Sequence, residues 1–260
     1  MAMAEVHFVG AGSGAPDLIT VRGRRLLEEA DVVIYAGSLV NRELLSYTRP
    51  QCELHDSAYL HLDQVIEIMR SAVSEGKKVV RLHTGDPSIY GAVREQMDRL
   101  AQLGITYDVC PGVSSFQGAA ASLCAEYTLP GVSQTLILTR LEGRTAVPEK
   151  ERMRKLAAHG ASMAIFLSAS MGERLQEELL TSGGYDEKTP CAVVYKATWN
   201  DEIKLMTSLG KLSDTIRENG ITKTAIILVG NFLGDEYELS KLYDKNFTTE
   251  FRIGEDDAEK

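Results

Sequence analysis

Three short segments carry residue types that can do chemistry. Gly10-Ala-Gly-Ser-Gly-Ala15 is a glycine-rich loop whose open backbone can bring amides up to a ligand. It satisfies the loose pattern G-x-G-x-x-G/A, which would make the chain a dinucleotide-dependent oxidoreductase. Two details weigh against that chemistry. Pro16 and Asp17 intervene before the helical pattern begins, so the glycines do not open the helix whose N-terminus would hold a pyrophosphate. The next strand ends in Tyr35-Ala-Gly-Ser38, without the carboxylate that grips a ribose hydroxyl. Thr84-Gly-Asp-Pro-Ser-Ile-Tyr-Gly91 is more informative. Pro87 fixes φ and removes a donor while Gly85 and Gly91 permit close backbone approach, so the segment can present amides and a carboxylate to a ligand, or else serve as a plain strand-to-helix turn. Asp86 precedes a proline in a turn, where a carboxylate commonly accepts backbone amides. It is expected to organise this loop and not to act as a general base. Pro111-Gly-Val-Ser-Ser-Phe116 approaches the nucleophile elbow G-x-S-x-G, but Phe116 stands where glycine is required, which disfavours a serine hydrolase. Ser114 is better suited as a helix N-cap, and Gly118, Ala119, Ala120 and Ala121 then let a cofactor or a helix approach closely.

The remaining clusters have plainer readings. No G-x-x-x-x-G-K-[ST] loop is present, and Ser74-Glu-Gly-Lys77 matches S-x-x-K only as an exposed loop. His55, Asp56 and His61 fit no standard ligand spacing, so no metal is expected. Cys52, Cys110, Cys124 and Cys191 are far apart with no CxxC pair and read as buried or inert thiols. Arg22, Arg24 and Arg25 form either a solvated helix face or a set of guanidinium forks for substrate carboxylates, and Arg140 with Arg144 has the same two readings.

Positioning these loops requires a particular order of elements. Apolar and β-branched runs predict strands at 5–10, 31–36, 77–82 and 106–110, with helices at 21–30, 62–74, through 103 and at 114–124. Strands alternating with helices imply a mainly parallel, covered sheet. Pro130-Gly131 interrupts the alternation within a linker at 125–133. A second module follows, with strands at 134–140, 163–168, 192–196, 203–208 and 224–229 and helices near 150–158, 171–180 and 211–219. The fold class is therefore α/β in two domains, 1–127 and 128–240, the first sheet mainly parallel and the second mixed. An acidic tail is expected at 241–260, frayed from 254.

A chain of 260 residues with 44% hydrophobic and 25% charged content can bury a core of that size. Its 28 Lys+Arg against 37 Asp+Glu give a net charge of -9, and no basic run is present, so nucleic acid and anionic membrane are poor partners. No apolar run is long enough for a membrane span, and MAMAEVHFVG lacks the organisation of a signal peptide, so a cytoplasmic protein is expected.

Taken together, residues 10–20 (GAGSGAPDLIT), 84–91 (TGDPSIYG) and 111–115 (PGVSS), in this order, resemble the tetrapyrrole methylase family over about residues 6–232. Within it, 35–40 (YAGSLV), 129–140 (LPGVSQTLILTR) and 143–149 (GRTAVPE) are similar to the branch that methylates ring carbon C(11) of cobalt-precorrin-4 on the way to cobalamin. Ser13 departs from the proline common at that position. The resemblance implies two α/β domains with S-adenosylmethionine in the cleft between them, S-adenosylhomocysteine as product, a tetrapyrrole substrate and a homodimer. Carried over residue by residue, it implies cofactor contacts at Pro16, Thr84, Gly85, Asp86, Ile89, Ser114, Ser115, Met171, Ala197 and Ala225. It assigns no catalytic acid or base. Other ring positions, uroporphyrinogen III, and the family's diphthamide-precursor and ribosomal RNA methylases are the neighbouring activities. A non-catalytic sensor of S-adenosylmethionine is a further alternative.

Overall fold

In the computed structural model, residues 5–255 are described. The chain divides into two compact units. The first runs to Leu123 and also takes Val194–Lys204 and Thr224–Ile226; the second holds Cys124–Val193, Leu205–Lys223 and the residues from Ile227 onward.

In the first unit the strands are β1 (Val6–Gly10), β2 (Val32–Tyr35), β3 (Glu53–Asp56), β4 (Val79–His83) and β5 (Tyr107–Cys110), in the spatial order β3-β2-β4-β1-β5. Every pairing is parallel. Helices α1 (Val21–Glu29), α2 (Leu62–Ser74), α3 (Arg94–Gln102) and α4 (Ser115–Leu123) complete the unit. Strand alternation divides the core in two. Val9, Val33, Val80 and Leu82 pack with Leu27 of α1, while Val6, Phe8, Val32, Ile34 and Val79 pack with Ile66 and Met69 of α2 and Leu100 of α3. The strand β3, absent from the sequence expectation, is a short edge strand that carries His55 and Asp56. His61 flanks α2, its backbone N–H donating to Gln64 Oε1 (3.0 Å).

The second sheet has the order β6-β7-β10-β8-β9, formed by Leu136–Arg140, Ser162–Phe166, Ala225–Val229, Pro190–Tyr195 and Ile203–Ser208 respectively. It is mixed, with β6 parallel to β7 and β7 antiparallel to β10. Met163, Ile165, Val193, Ile227 and Leu228 are fully buried in it. Helices α5 (Met153–Ala157), α6 (Gly172–Leu180) and α7 (Leu212–Glu218) bury Met153, Leu175, Leu179 and Leu212. Of the expected tail, 256–260 lie outside the described residues. Before them the chain is held: Arg252 donates to the carbonyls of Leu242 (3.0 Å) and Asp244 (2.6 Å), and the Gly254 N–H donates to Thr248 Oγ1 (2.9 Å). Cys110 and Cys191 are buried as expected, and burial pushes the Cys191 thiol up to about 12. Cys124 is not buried. It is exposed, because α4 ends there in a left-handed turn (φ 52°) that leaves the residue outside the packed helix.

Two polar side chains interrupt the apolar face of β4. Arg81 is 6% exposed, yet no carboxylate among the described residues meets it; its guanidinium donates to Gln96 Oε1 (3.2 Å), to the Ile34 carbonyl (3.1 Å) and to the Leu82 carbonyl (3.4 Å). Burial lowers its pKa to about 10, so it stays cationic at neutral pH. His83 is 4% exposed and stacks on Phe8, and its Nε2 has no hydrogen-bond partner. Burial first, and the nearby Arg81 charge second, lower its pKa from 6.5 to about 3.

A folded-state pKa below the unfolded one means that the unfolded chain binds the proton first, so His83 contributes stability above pH 6.5 that is lost as the pH falls towards 3. His83→Phe removes this component. Between about pH 7 and about pH 4.5, urea unfolding of the wild type should lose up to about 2.5 kcal/mol more than unfolding of the variant does. Equal losses in the two proteins would show that the imidazole carries no such penalty.

Candidate functional site

The strands β4, β1 and β5 are neighbours in a parallel sheet, so the loops that follow them emerge side by side at its carboxyl edge, where α/β proteins bind ligands. These are the three loops singled out in the sequence. They touch through backbone. Gly12 and Gly85 form a bridge (N–H to O, 3.3 and 2.9 Å), and the Ala11 N–H donates to the His83 carbonyl (2.7 Å). A Cβ on Gly10 would stand 2.6 Å from both Gly112 Cα and the Gly85 oxygen, so no other residue fits that crossing without a backbone shift.

Asp86 fastens two of the loops. Its Oδ2 accepts the Gly112 N–H (2.8 Å), while Oδ1 accepts the Ser88 N–H (2.8 Å) and the Ser88 hydroxyl. Burial alone would raise its pKa, but the Ser88 hydroxyl and the Gly112 and Ser88 amides outweigh burial and hold the carboxyl below its usual value. It is thus the amide-accepting anion expected from its turn. Gly85 is buried, Ile89 half-buried and Thr84 exposed. Ser114 is buried directly before α4; its carbonyl accepts the Gln117 and Gly118 N–H groups (both 3.1 Å), and its own N–H donates to Gln117 Oε1 (2.9 Å). The small face of α4 is filled at Gly118, where an added Cβ would meet the Ser13 side chain at 2.6 Å.

Ala197 and Ala225 lie in the same unit. Ala197 is buried between Lys196 (φ 48°) and Thr198 (φ 68°), and Ala225 is half-buried at the start of β10, after Thr224 (φ 55°). The Lys196 N–H donates to the Thr224 carbonyl (2.9 Å), which draws the two alanine-bearing turns together. Left-handed backbone at non-glycine residues costs of order 1–3 kcal/mol each and clusters at ligand clamps. Tyr90 and Ala92, after Ile89, show it too. Pro16 is half-buried and opens a short 3-10 turn at the end of the glycine loop.

In the second unit, Arg140 ends β6, and the parallel strands β6 and β7 lead at one edge into the segments that carry Arg144 and Met171. Met171 is half-buried, its methyl 3.6 Å from where a Cβ on Gly143 would stand. Arg140 is folded onto its own loop, donating to the carbonyls of Leu141 (3.4 Å), Thr145 (3.1 Å) and Ala146 (2.9 Å), while Arg144 is exposed. Arg22, Arg24 and Arg25 are exposed on α1; Arg24 is paired with Glu28 (2.8 Å) and stacked on the Tyr47 ring (4.6 Å).

Several residues that hold these loops escape a reading of the sequence. The Asn41 amide donates to the Gly14 carbonyl (3.0 Å), and Thr198 and Trp199 grip the glycine loop across more than 180 residues. Nothing local announces such contacts. Arg81 did leave a signal, since a cation inside V-V-R-L-H is unusual for a buried strand.

The comparisons with known proteins agree with this geometry. The family model for tetrapyrrole (corrin/porphyrin) methylases matches residues 5–213. A cobalt-precorrin-4 C(11)-methyltransferase of Methanocaldococcus jannaschii is 54% identical over 249 residues, 95% of this chain and 96% of the relative. The X-ray structure of a cobalamin biosynthetic enzyme, cobalt precorrin-4 methyltransferase, is 46% identical, with a TM-score of 0.86 over 88% of this chain and 96% of that one. A uroporphyrin-III C-methyltransferase of Thermus thermophilus, crystallised with S-adenosylhomocysteine, is 25% identical with a TM-score of 0.72, covering 88% and 93% of the two chains. With the three loops meeting at the edge of a parallel sheet and a family model spanning most of its length, the chain belongs to the tetrapyrrole (corrin/porphyrin) methylase family.

Proposed function

We propose that this chain is an S-adenosylmethionine-dependent C-methyltransferase that methylates C(11) of cobalt-precorrin-4, or of precorrin-4, in cobalamin biosynthesis. The observation that carries the reading is the contrast in similarity. The chain is 46% identical to the solved cobalt precorrin-4 methyltransferase but 25% identical to the solved uroporphyrin-III enzyme, at comparable coverage. C(11) is therefore favoured over the uroporphyrinogen reaction, and the oxidoreductase reading drops away with its missing ribose carboxylate.

The residues present fit S-adenosylmethionine. Gly85, Ser114, Ser115, Ala197 and Ala225 bring small side chains and backbone to the loops of the first unit, and adenine with a folded methionine tail needs backbone contacts with little side-chain bulk. The cofactor supplies an activated methyl group on a sulfonium. Pro16, Thr84, Gly85, Asp86, Ile89, Ser114, Ser115, Met171, Ala197 and Ala225 are assigned to holding it. The protein's share of the work is alignment and exclusion of water, and alignment alone can be worth many powers of ten in rate. Asp86 contributes by holding Gly112 and Ser88 in place, and a carboxylate kept low by three donors is poorly suited to accept a proton.

The exposed Arg22 and Arg25, with Arg144, are assigned to the carboxylates of the tetrapyrrole. The division into domains at 1–127, 128–240 and 241–260, the homodimer and the cytoplasmic location complete the proposal. No helix among the described residues is long and apolar enough to cross a membrane.

Incubation with S-adenosylmethionine and cobalt-precorrin-4 without oxygen should yield S-adenosylhomocysteine and a singly methylated ring, with the new carbon assigned to C(11) by NMR. Methylation at another carbon would replace the C(11) reading, and no turnover of any tetrapyrrole despite S-adenosylhomocysteine binding would leave the sensor reading. Asp86→Ala should weaken S-adenosylhomocysteine binding in calorimetry by about tenfold or more, the usual loss when a charged hydrogen-bonding partner is removed, and leave the acidic limb of the rate profile in place. Intact affinity with that limb abolished would make Asp86 a proton carrier.

A further inference from the structure

The turn that follows β8 is strained at a residue type that resists strain. Thr198 is β-branched, yet its φ of 68° lies in the left-handed region. That conformation sends its two polar groups in different directions. The N–H donates to Glu202 Oε2 (2.5 Å), and the same carboxylate oxygen accepts the Ser122 hydroxyl (2.5 Å) near the end of α4. The Thr198 hydroxyl accepts the Ala15 N–H (3.1 Å) and is paired with the Ser13 hydroxyl (3.0 Å). Beside it, the Trp199 indole N–H donates to the Ser13 carbonyl (3.2 Å), and its ring occupies the space that a side chain on Gly14 would need.

Ser13, Gly14 and Ala15 are thus each held from outside their own loop, with Asn41 on the Gly14 carbonyl as the fourth contact. A turn serving only to leave a strand needs no such grip. The held residues lead directly into Pro16. The strained threonine itself is braced by Glu202 against α4, the helix whose Gly118 packs on Ser13. The strain, the anchor and the grip all serve to fix the path of the backbone at residues 13–15.

We propose that Thr198, braced by Glu202, is a positioning residue for methyl transfer: its hydroxyl sets the glycine loop in the conformation from which Pro16 and its neighbours meet the reacting groups. This rests on the methyltransferase reading above. The residue touches no reacting atom and acts through the loop, so its loss misaligns the reactants more than it loosens the cofactor.

Thr198→Val keeps the branched shape and removes the hydroxyl; Thr198→Ser keeps the hydroxyl. In Thr198→Val, kcat/KM for the tetrapyrrole should fall about tenfold or more, a loss typical of sub-ångström to ångström misplacement, with the dissociation constant for S-adenosylhomocysteine within about threefold of wild type. Thr198→Ser should stay within about threefold on both measures. A smaller loss in Thr198→Val, a serine variant as impaired as the valine one, or affinity that falls in step with activity overturns the proposal. Hydrogen exchange tests the grip without turnover. The Ala15 amide should exchange about tenfold faster or more in Thr198→Val and at the wild-type rate in Thr198→Ser, and unchanged exchange in the valine variant also overturns the proposal. If the wild type methylates no tetrapyrrole, the methyltransferase reading fails on its own and the exchange measurement still decides whether Thr198 holds the loop. Should Thr198→Val not fold, Ser13→Ala breaks the same hydroxyl pair from the other side and must show the same split between activity and affinity.

Discussion

The contact on which the first unit depends is backbone against backbone at the carboxyl edge of its sheet. Gly10, Gly85 and Gly112 leave three successive strand neighbours free to send their loops over one another with no side chain between them. Glycine alone permits that distance, and its presence in all three loops is one requirement seen three times. From the crossing follow the Gly12–Gly85 bridge, the reach of Asp86 to the Gly112 amide, and the placing of Ser114 and Ser115 beside Gly85. An open backbone also leaves amides and carbonyls to face a ligand. The feature that makes the crossing possible is therefore the one that makes it useful.

Beneath that edge the sheet holds a charge that it does not neutralise. Arg81 is solvated by carbonyl oxygens and an amide, each a partial charge, where a buried carboxylate would be the usual partner. The arrangement has a mechanical result. Gln96, which accepts from Arg81, donates in turn to the Ala92 carbonyl (3.0 Å), so the far end of the 84–91 loop is tied to the middle of β4 while Asp86 ties its near end to β5's loop. His83, disfavoured as a cation by its own burial first and by this charge second, remains neutral. The loop is thus fixed at both ends, the pattern familiar where backbone strain and buried polar groups gather around a ligand site.

What the sequence made legible and what it hid divide along physical lines. The three loops could be read because glycine and proline announce themselves locally, and the strands with continuous apolar runs, such as β2 and β10, because burial on both faces leaves no alternation to misread. The strand β3 could not. Its residues E-L-H-D are largely polar and half-exposed, since an edge strand borrows its structure from β2 and carries little pattern of its own. The grouping of 194–204 and 224–226 with the first unit was hidden for a related reason. Thr198 meets Ser13 and Ala15, Glu202 accepts from Ser122, and Lys196 donates to the Thr224 carbonyl, all pairings between residues distant in sequence, and a threonine in a strained turn looks like any other threonine until its φ is known. The small residues of α4 were legible as a surface made for close approach, but whether a cofactor or the protein itself comes close could only be seen in three dimensions. At Gly118 it is Ser13.

Charge sets the terms for the substrate. A precorrin carries several carboxylates, and a protein of net charge -9 repels it at long range, so its capture has to be decided by contacts inside the screening distance of roughly 8–10 Å. Within that range the identity of each arginine matters more than the total. Arg140 has turned its guanidinium onto three carbonyls of its own loop, and Arg24 is engaged by Glu28 and Tyr47, so both shape their surroundings more than they extend towards a ligand. Arg22, Arg25 and Arg144 remain exposed. A planar guanidinium recognises a carboxylate through two parallel hydrogen bonds, which are geometrically exacting and gain little from the overall field. On the proposed assignment, Arg22, Arg25 and Arg144 would give an acidic enzyme its selectivity: anions that cannot meet the forks are repelled, and a polycarboxylate with the right spacing is held.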